Sequence, residues 1–176
     1  MNFLNSWREA FQIFLFLGFY GIFHTLYFGL PDAILREVVY NRGIGVFCSK
    51  LIHFIAPMEQ VSAVQNHLQS PVADLEIVRV CDGAGAVFLV MAAILAFPAS
   101  VKRKLIGIVL GILLMYSLNL IRISGLYFVV AYHNDWFQII HTYLAPTLLI
   151  IVACLFFAWW ALGASKDSSR MANEPR

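Results

Sequence analysis

Four stretches of this chain run for about 20 residues or more with almost no charge, and that decides the solvent in which it folds. Ala10 to Leu30 holds no formally charged residue and closes at Pro31-Asp32. Gly83 to Val101 is uncharged, and Leu105 to Tyr132 is apolar around Asn119 and Arg122. A last apolar run starts at Trp136 and reaches about Gly163, with Pro146 inside it as an expected kink. Each is long enough for a helix crossing a hydrocarbon core of roughly 30 Å. Composition agrees: 61% of the 176 residues are hydrophobic and 12% charged, against about 25% charged in soluble domains. The first run lacks a small-residue cleavage site and reads as a retained span, not a removable signal peptide.

Between the first and second runs the chain changes character. Asp32 to Ala56 mixes Arg36, Glu37, Arg42, Lys50 and His53 with apolar residues. The spacing predicts an interfacial amphipathic helix, or two with a break near Gly43 and Gly45; a poorly formed short span is the alternative. Pro57 to Val80 turns polar. Gln65, Asn66, Gln69, Ser70 and Pro71 mark a loop, and Leu75 to Val80 alternates as a short extended segment leading into Cys81. The predicted fold is an all-α polytopic membrane protein with about four transmembrane helices. The interfacial helical segment and a short extended extracytoplasmic segment before Cys81 complete it. Residues 1–165 read as one integral membrane domain, and 166–176 as a polar, disordered cytoplasmic tail.

Lys102-Arg103-Lys104 reads as a tight basic turn, which the positive-inside rule places in the cytoplasm. Cys81 and the polar turn His133-Asn134-Asp135 then lie outside, and that turn is placed to cap a helix starting at Trp136. Four spans put the N-terminus in the cytoplasm. A fifth across Gly43 to Ala56 would put it outside, and Cys81 stays on the outer face in both. The net charge of +2, without basic clusters beside aromatics, argues against a nucleic-acid partner. Membrane lipid is the surrounding partner.

Depth then singles out three side chains. Arg122 lies 17 residues beyond Leu105, roughly 25 Å up its helix, near the outer edge of the hydrocarbon. Cys81 stands just outside the outer end of the Gly83 run, and His141 sits about one and a half turns into the last helix. A thiol, a guanidinium and an imidazole thus share one level. Arginine inside a span costs about 2.5 kcal/mol or more at the centre, so it either snorkels outward or pairs inside the bundle. Asn119, three residues earlier on the same face, would orient it or donate a bond of its own. A thiol at a helix start has a favoured thiolate. Asp82 works against this or caps the helix, and Gly83 permits close backbone approach.

The remaining candidates read as structure. His24, His53, His67 and His133 are taken as interfacial, and Cys48 and Cys154 as packing. A Cys48–Cys81 disulfide stays open. Gly107 and Gly111 fit close helix contact. Trp7, Tyr132, Trp136, Trp159 and Trp160 fit interface anchoring.

The run Val80-Cys81-Asp82-Gly83, then Asn119-Leu120-Ile121-Arg122, then Trp136 to His141 resembles the exosortase/archaeosortase family of membrane transpeptidase-like enzymes. Ala92 to Pro98 followed by Lys104-Leu105-Ile106-Gly107 looks like its compact members, exosortase H and exosortase M. The resemblance covers Val80 to Trp160, and the N-terminal half agrees in layout. It implies a cysteine protease or transpeptidase with Cys81 as nucleophile, Arg122 as its electrostatic partner and His141 as third member. Asn119, Asp82 and Gly83 would support them, and neither metal nor cofactor is expected. The implied substrates are secreted proteins with a C-terminal sorting signal, made of a short motif, one span and a basic tail. The implied location is the bacterial inner membrane, with the site on its periplasmic side. The family commonly has Ser or Asn where this chain has Asp82. Two rivals remain: a non-enzymatic assembly or export factor using Arg122 as a helix clamp, and a thiol oxidoreductase needing a cysteine pair. No G-x-S-x-G motif supports a rhomboid-like serine protease.

Overall fold

The computed structural model describes the backbone of residues 3–79 and 81–172. Helix α1 (Phe3–Phe28) ends just before Gly29, Leu30 and Pro31, as the apolar run predicts. Then α2 (Asp32–Ile34) passes into a π-helical stretch (Leu35–Gly45) and on to α3 (Val46–Ile55). No break occurs at Gly43 or Gly45. The bonding changes there instead, with the Val46 N–H still reaching the Asn41 carbonyl five residues back. In so wide a turn, residues five apart stack nearly one above the other. Glu37 accordingly pairs with Arg42, Oε1 to Nε at 3.0 Å. Being exposed, that pair contributes little.

Three short antiparallel strands follow: β1 (Ser62–Val64), β2 (His67–Gln69) and β3 (Asp74–Glu76), in the order β1-β2-β3. Only the third was legible. Its partner strands read as loop because Gln65 and Asn66 form a two-residue hairpin turn, with Gln65 at φ 55°. The extended segment is also shorter than predicted. The strand stops at Glu76, and Val80 lies outside the described residues.

Helix α4 (Ala84–Ala96) has 13 residues, about 20 Å, where the sequence suggested a longer run to Val101. Pro98 stops it, since the residue before a proline avoids helical geometry. The connection is Phe97 to Ser100, and α5 (Val101–Tyr132) already contains the basic triplet in its first turn. Lys104 is used internally: its Nζ donates at 2.7 Å to the Leu95 carbonyl. That group lacks a helical partner at the α4 C-terminus, where a cation is favoured.

The last run begins with a 3₁₀ turn (Asn134–Trp136) and α6 (Phe137–Ile139). A π-helical stretch (Ile140–Leu144) and α7 (Ala145–Ala172) complete it. The polar turn before Trp136 makes no side-chain cap; the Trp136 N–H bonds the His133 carbonyl instead. Helix α7 runs past Gly163 to Ala172, so the polar stretch from Lys166 continues the helix, which meets neither Pro nor Gly there. Residues 173–176 lie outside the described residues.

Among the described residues, three helices are long and apolar enough to cross a membrane: Trp7–Phe28, Val101–Tyr132 and Asn134–Ala164. The shorter apolar α4 accompanies them. The chain is therefore an all-α polytopic membrane protein carrying a small sheet, with three full-length spans and one short helix where four spans were predicted. No helix within Asp32–Ile55 meets those measures, so the five-span alternative finds no carrier among the described residues. Phe14, Leu105, Leu155 and Leu162 are exposed on the spans, as lipid-facing side chains should be.

The contacts fall into two compact units. One holds Met1–Phe28, Gly85–Met115 and Ile150–Arg176; the other holds Gly29–Ala84 and Tyr116–Leu149. In the first, Phe23 and Tyr27 pack on Phe88 with ring centroids 5.9 and 5.5 Å apart. The glycine pair does what its spacing suggests: Gly107 lies against the Trp160 indole, and Gly111 against Val90 and Phe156. Trp160 is thus a core residue (3% exposed), not the interface anchor its sequence position suggested. Trp7, Tyr132, Trp136 and Trp159 are exposed and fit that role. In the second unit, Leu35, Ile52, Leu68, Ile123 and Tyr127 form the buried centre.

A Cβ at Gly107 would collide with the Trp160 indole nitrogen. Gly107→Ala should therefore cost about 1–3 kcal/mol, read as a lower thermal midpoint in detergent. Gly18→Ala, with open space around it, should leave the midpoint unchanged or higher.

Candidate functional site

Cys81 is placed by a turn, not by a strand. Its N–H bonds the Val78 carbonyl at 2.8 Å, turning the chain between β3 and α4. Gly83 then takes φ +80°, a left-handed geometry that favours glycine. Asp82 Oδ1 accepts the Ala84 N–H at 3.0 Å, so the carboxylate caps the start of α4, one of the two roles foreseen for it.

Helix α5 reaches this turn with two side chains one turn apart. Asn119, 2% exposed, donates from Nδ2 to the Asp82 carbonyl at 2.7 Å. Arg122 donates from Nη1 to the Cys81 carbonyl at 3.4 Å. Two consecutive carbonyls of an irregular turn are thereby satisfied from one helix face. Asn119 leaves no room for a side chain at residue 83: a Cβ there would sit 2.5 Å from Asn119 Cγ. Arg122 points inward to this turn instead of snorkelling away.

His141 comes from the other side. It lies in the π-helical stretch Ile140–Leu144, where the Ala145 N–H bonds the Ile140 carbonyl five residues back. Pro146 explains the widening. It has no N–H to offer, and its ring would strike the carbonyl four residues earlier in a regular helix. The expected kink is therefore a local change of bonding in a continuous helix. The imidazole stacks on Phe137, centroids 5.0 Å apart and planes 18° apart. Its Nε2 lies 3.0 Å and its Nδ1 3.6 Å from Cys81 Sγ. The thiol, guanidinium and imidazole do converge.

The electrostatics differ from the sequence expectation. Cys81 is 6% exposed, and this burial pushes its thiol pKa up from the usual value. The Arg122 charge and hydrogen bond oppose that shift, and the Asp82 charge adds to it. Burial wins over any benefit of the helix start, so the free site holds a neutral thiol beside an imidazole.

Other candidates separate clearly. Cys48 is fully buried, its thiol pushed up to about 11, and its Sγ faces the Leu120 carbonyl at 3.7 Å. Cys154 is exposed on α7 and does not pack inside. All three cysteines are free thiols, so the Cys48–Cys81 disulfide left open by the sequence is not formed. His67 pairs with Asp74 at 2.8 Å within the sheet. A polar cluster escaped the sequence reading. Glu59 accepts bonds from Tyr127 (2.7 Å) and Tyr132, holding its carboxyl below the usual range, and Tyr127 reaches Ser70 Oγ at 2.9 Å. Nothing in the local pattern around Glu59 signals tyrosines some 70 residues away.

A model of the transmembrane exosortase family matches residues 4–160. No curated protein and no solved structure matches the chain.

Two outcomes follow from the geometry. Gly83→Ala should lower stability by about 1–3 kcal/mol through its backbone strain and its collision with Asn119, measured by thermal unfolding. Alkylation of Cys81 by iodoacetamide, followed by peptide-resolved mass spectrometry, should be slow at neutral pH, with a midpoint above the usual thiol value. Arg122→Gln should move that midpoint further up and Asp82→Asn should move it down, because one charge favours the thiolate and the other opposes it.

Proposed function

The chain belongs to the transmembrane exosortase family, and we propose that it is a membrane-embedded cysteine peptidase or transpeptidase working through Cys81, Arg122 and His141. The observation that carries the reading is the 3.0 Å approach of His141 Nε2 to Cys81 Sγ. That is the distance at which an imidazole takes a proton from its nucleophile.

The steps follow from these groups. His141 removes the thiol proton as sulfur attacks a substrate peptide carbonyl, so the thiolate forms only with a carbonyl in place. Arg122 stabilises charge on sulfur and on the developing oxyanion; a preorganised donor of this kind is worth roughly 10²–10³ in rate. The protonated His141 then gives its proton to the leaving amine, and the acyl group remains on Cys81 as a thioester. An amine or water, deprotonated by His141, releases it. The imidazole contributes about 10²–10⁴ through these proton transfers. Asn119, Gly83 and Asp82 hold the turn that presents the sulfur.

The proposed substrates are secreted proteins with a C-terminal motif, span and basic tail. Their own span would carry the scissile bond to the level of Cys81. The proposed setting is a bacterial inner membrane with the site on the periplasmic side. Lys102, Arg103 and Lys104 at the start of α5 support that orientation, since they favour the cytoplasm and Cys81 belongs with the opposite end of the helix.

Comparison of secreted-protein C-termini from cells carrying wild-type and Cys81→Ala protein tests this. Precursors should keep their C-terminal segment in Cys81→Ala cells and in His141→Ala cells, and a thioester should be trapped on Cys81 of the wild type. Normal processing by Cys81→Ala refutes the assignment.

A further inference from the structure

Strand β3 has one unused side. The main-chain bonds from the Ile77 N–H to the Asn66 carbonyl (2.7 Å) and from the Ser70 N–H to the Ala73 carbonyl (2.9 Å) fix which residues face β2. The register pairs Leu68 with Leu75, His67 with Glu76 and Gln69 with Asp74. Because bonded and non-bonded pairs alternate in an antiparallel ladder, Leu75 turns its N–H and C=O toward β2. Asp74 and Glu76 therefore direct theirs to the outer edge. No described residue hydrogen-bonds these four groups, and both residues are exposed.

The edge is also unguarded. Native edge strands are protected by proline, lysine, bulges or a covering segment. Here the two available charges are turned back on their own sheet, Asp74 toward His67 at 2.8 Å and Glu76 toward the Asn66 amide at 3.0 Å. The edge lies close in sequence to the site: β3 ends at Glu76, and Val78, two residues on, accepts the Cys81 N–H.

We propose that the outer edge of β3 takes the substrate's extended segment beside the scissile bond as an added strand, pairing with the main chain of Asp74 and Glu76. The inference rests on the peptidase reading and deepens it. A peptide bond under attack must lie in an extended chain whose own N–H and C=O groups are unpaired, and this edge offers complementary groups at the strand spacing of about 4.8 Å. Affinity then comes from main-chain bonds made at alternate substrate residues. The edge carries orientation, while Cys81, Arg122 and His141 carry the chemistry.

Proline at an edge strand is tolerated where its missing N–H faced outward. Glu76→Pro deletes one edge donor, and Glu76→Ala controls for the lost carboxylate. The probe is a synthetic peptide spanning the cleavage point of a precursor retained in Cys81→Ala cells. Glu76→Pro should lower kcat/KM at least tenfold below Glu76→Ala, mainly through KM, with the pH profile of Cys81 alkylation unchanged. A scan of single N-methyl amides along the peptide, read with the wild-type enzyme, should lose cleavage with a period of two. This second arm needs no variant to fold. Equal activity of the Pro and Ala variants, or N-methyl losses without that period, overturns the edge assignment while Cys81-dependent cleavage still stands. A dimer that dissolves in Glu76→Pro with processing unchanged overturns it too, by giving the edge to a second copy. Cleavage persisting in Cys81→Ala would instead remove the peptidase reading itself.

Discussion

The bond from the Asn119 amide to the Asp82 carbonyl fixes the irregular turn on which the whole site is built. A buried non-helical backbone is tolerated only where protein satisfies it, because an orphaned carbonyl there costs about 1–3 kcal/mol. Residues 81–83 lie outside regular structure, and their Cys81 and Asp82 carbonyls need partners. Helix α5 meets both, from Asn119 and from Arg122 one turn later. Gly83 completes the arrangement by yielding the space that Asn119 occupies and by taking φ +80°. The position of Cys81 is thus set by side-chain bonds from a long helix to the main chain of the turn, independently of the thiol's own contacts.

That independence matters because the thiol is held in its neutral form. Burial raises its pKa, and Asp82 raises it further. A permanently ionised sulfur in this place would be a buried anion needing constant compensation. A neutral thiol beside an imidazole avoids that cost. Arg122 then does two things with one guanidinium. It supports the Cys81 carbonyl, and its charge and hydrogen bond oppose the rise in the thiol pKa. Asp82 is the opposing element. Its carboxylate opens α4 through the Ala84 N–H, so the chain accepts an unfavourable charge near sulfur in return for a defined helix start.

The sequence was most readable where lipid forces the pattern. The three long spans stand out because a crossing helix must be apolar for about 20 residues, and the shared depth of Cys81, Arg122 and His141 follows from helical rise alone. Legibility fell where short-range chemistry competes. The interfacial helix kept going through Gly43 and Gly45 because a π-helical stretch absorbed them. Strands of three residues left no periodicity to read, and β1 and β2 passed for loop. Apolar length alone overstated α4, which Pro98 cuts short, and it missed that Lys102, Arg103 and Lys104 are already helical. Trp160 shows the limit of position as a guide. An indole near a span end suits the interface, yet Gly107 makes room for it inside.

Proline and histidine illustrate how one local conflict serves the site. Pro146 cannot continue a regular helix without colliding with the turn before it. The Ile140–Leu144 stretch relieves this by bonding five residues back, so the helix keeps its continuity while the face of its first part is uncoupled from the face of α7. His141 can therefore turn toward Cys81 without dictating how Leu149 and Ala153 pack further along. Its ring meets the sulfur with both nitrogens, at 3.0 and 3.6 Å, and Phe137 holds its plane by stacking. Stacking and the sulfur contact together fix the ring's place beside Cys81. A regular helix through residue 146 would tie that ring to the packing register of the whole last span. The widened turn is what lets His141 face Cys81.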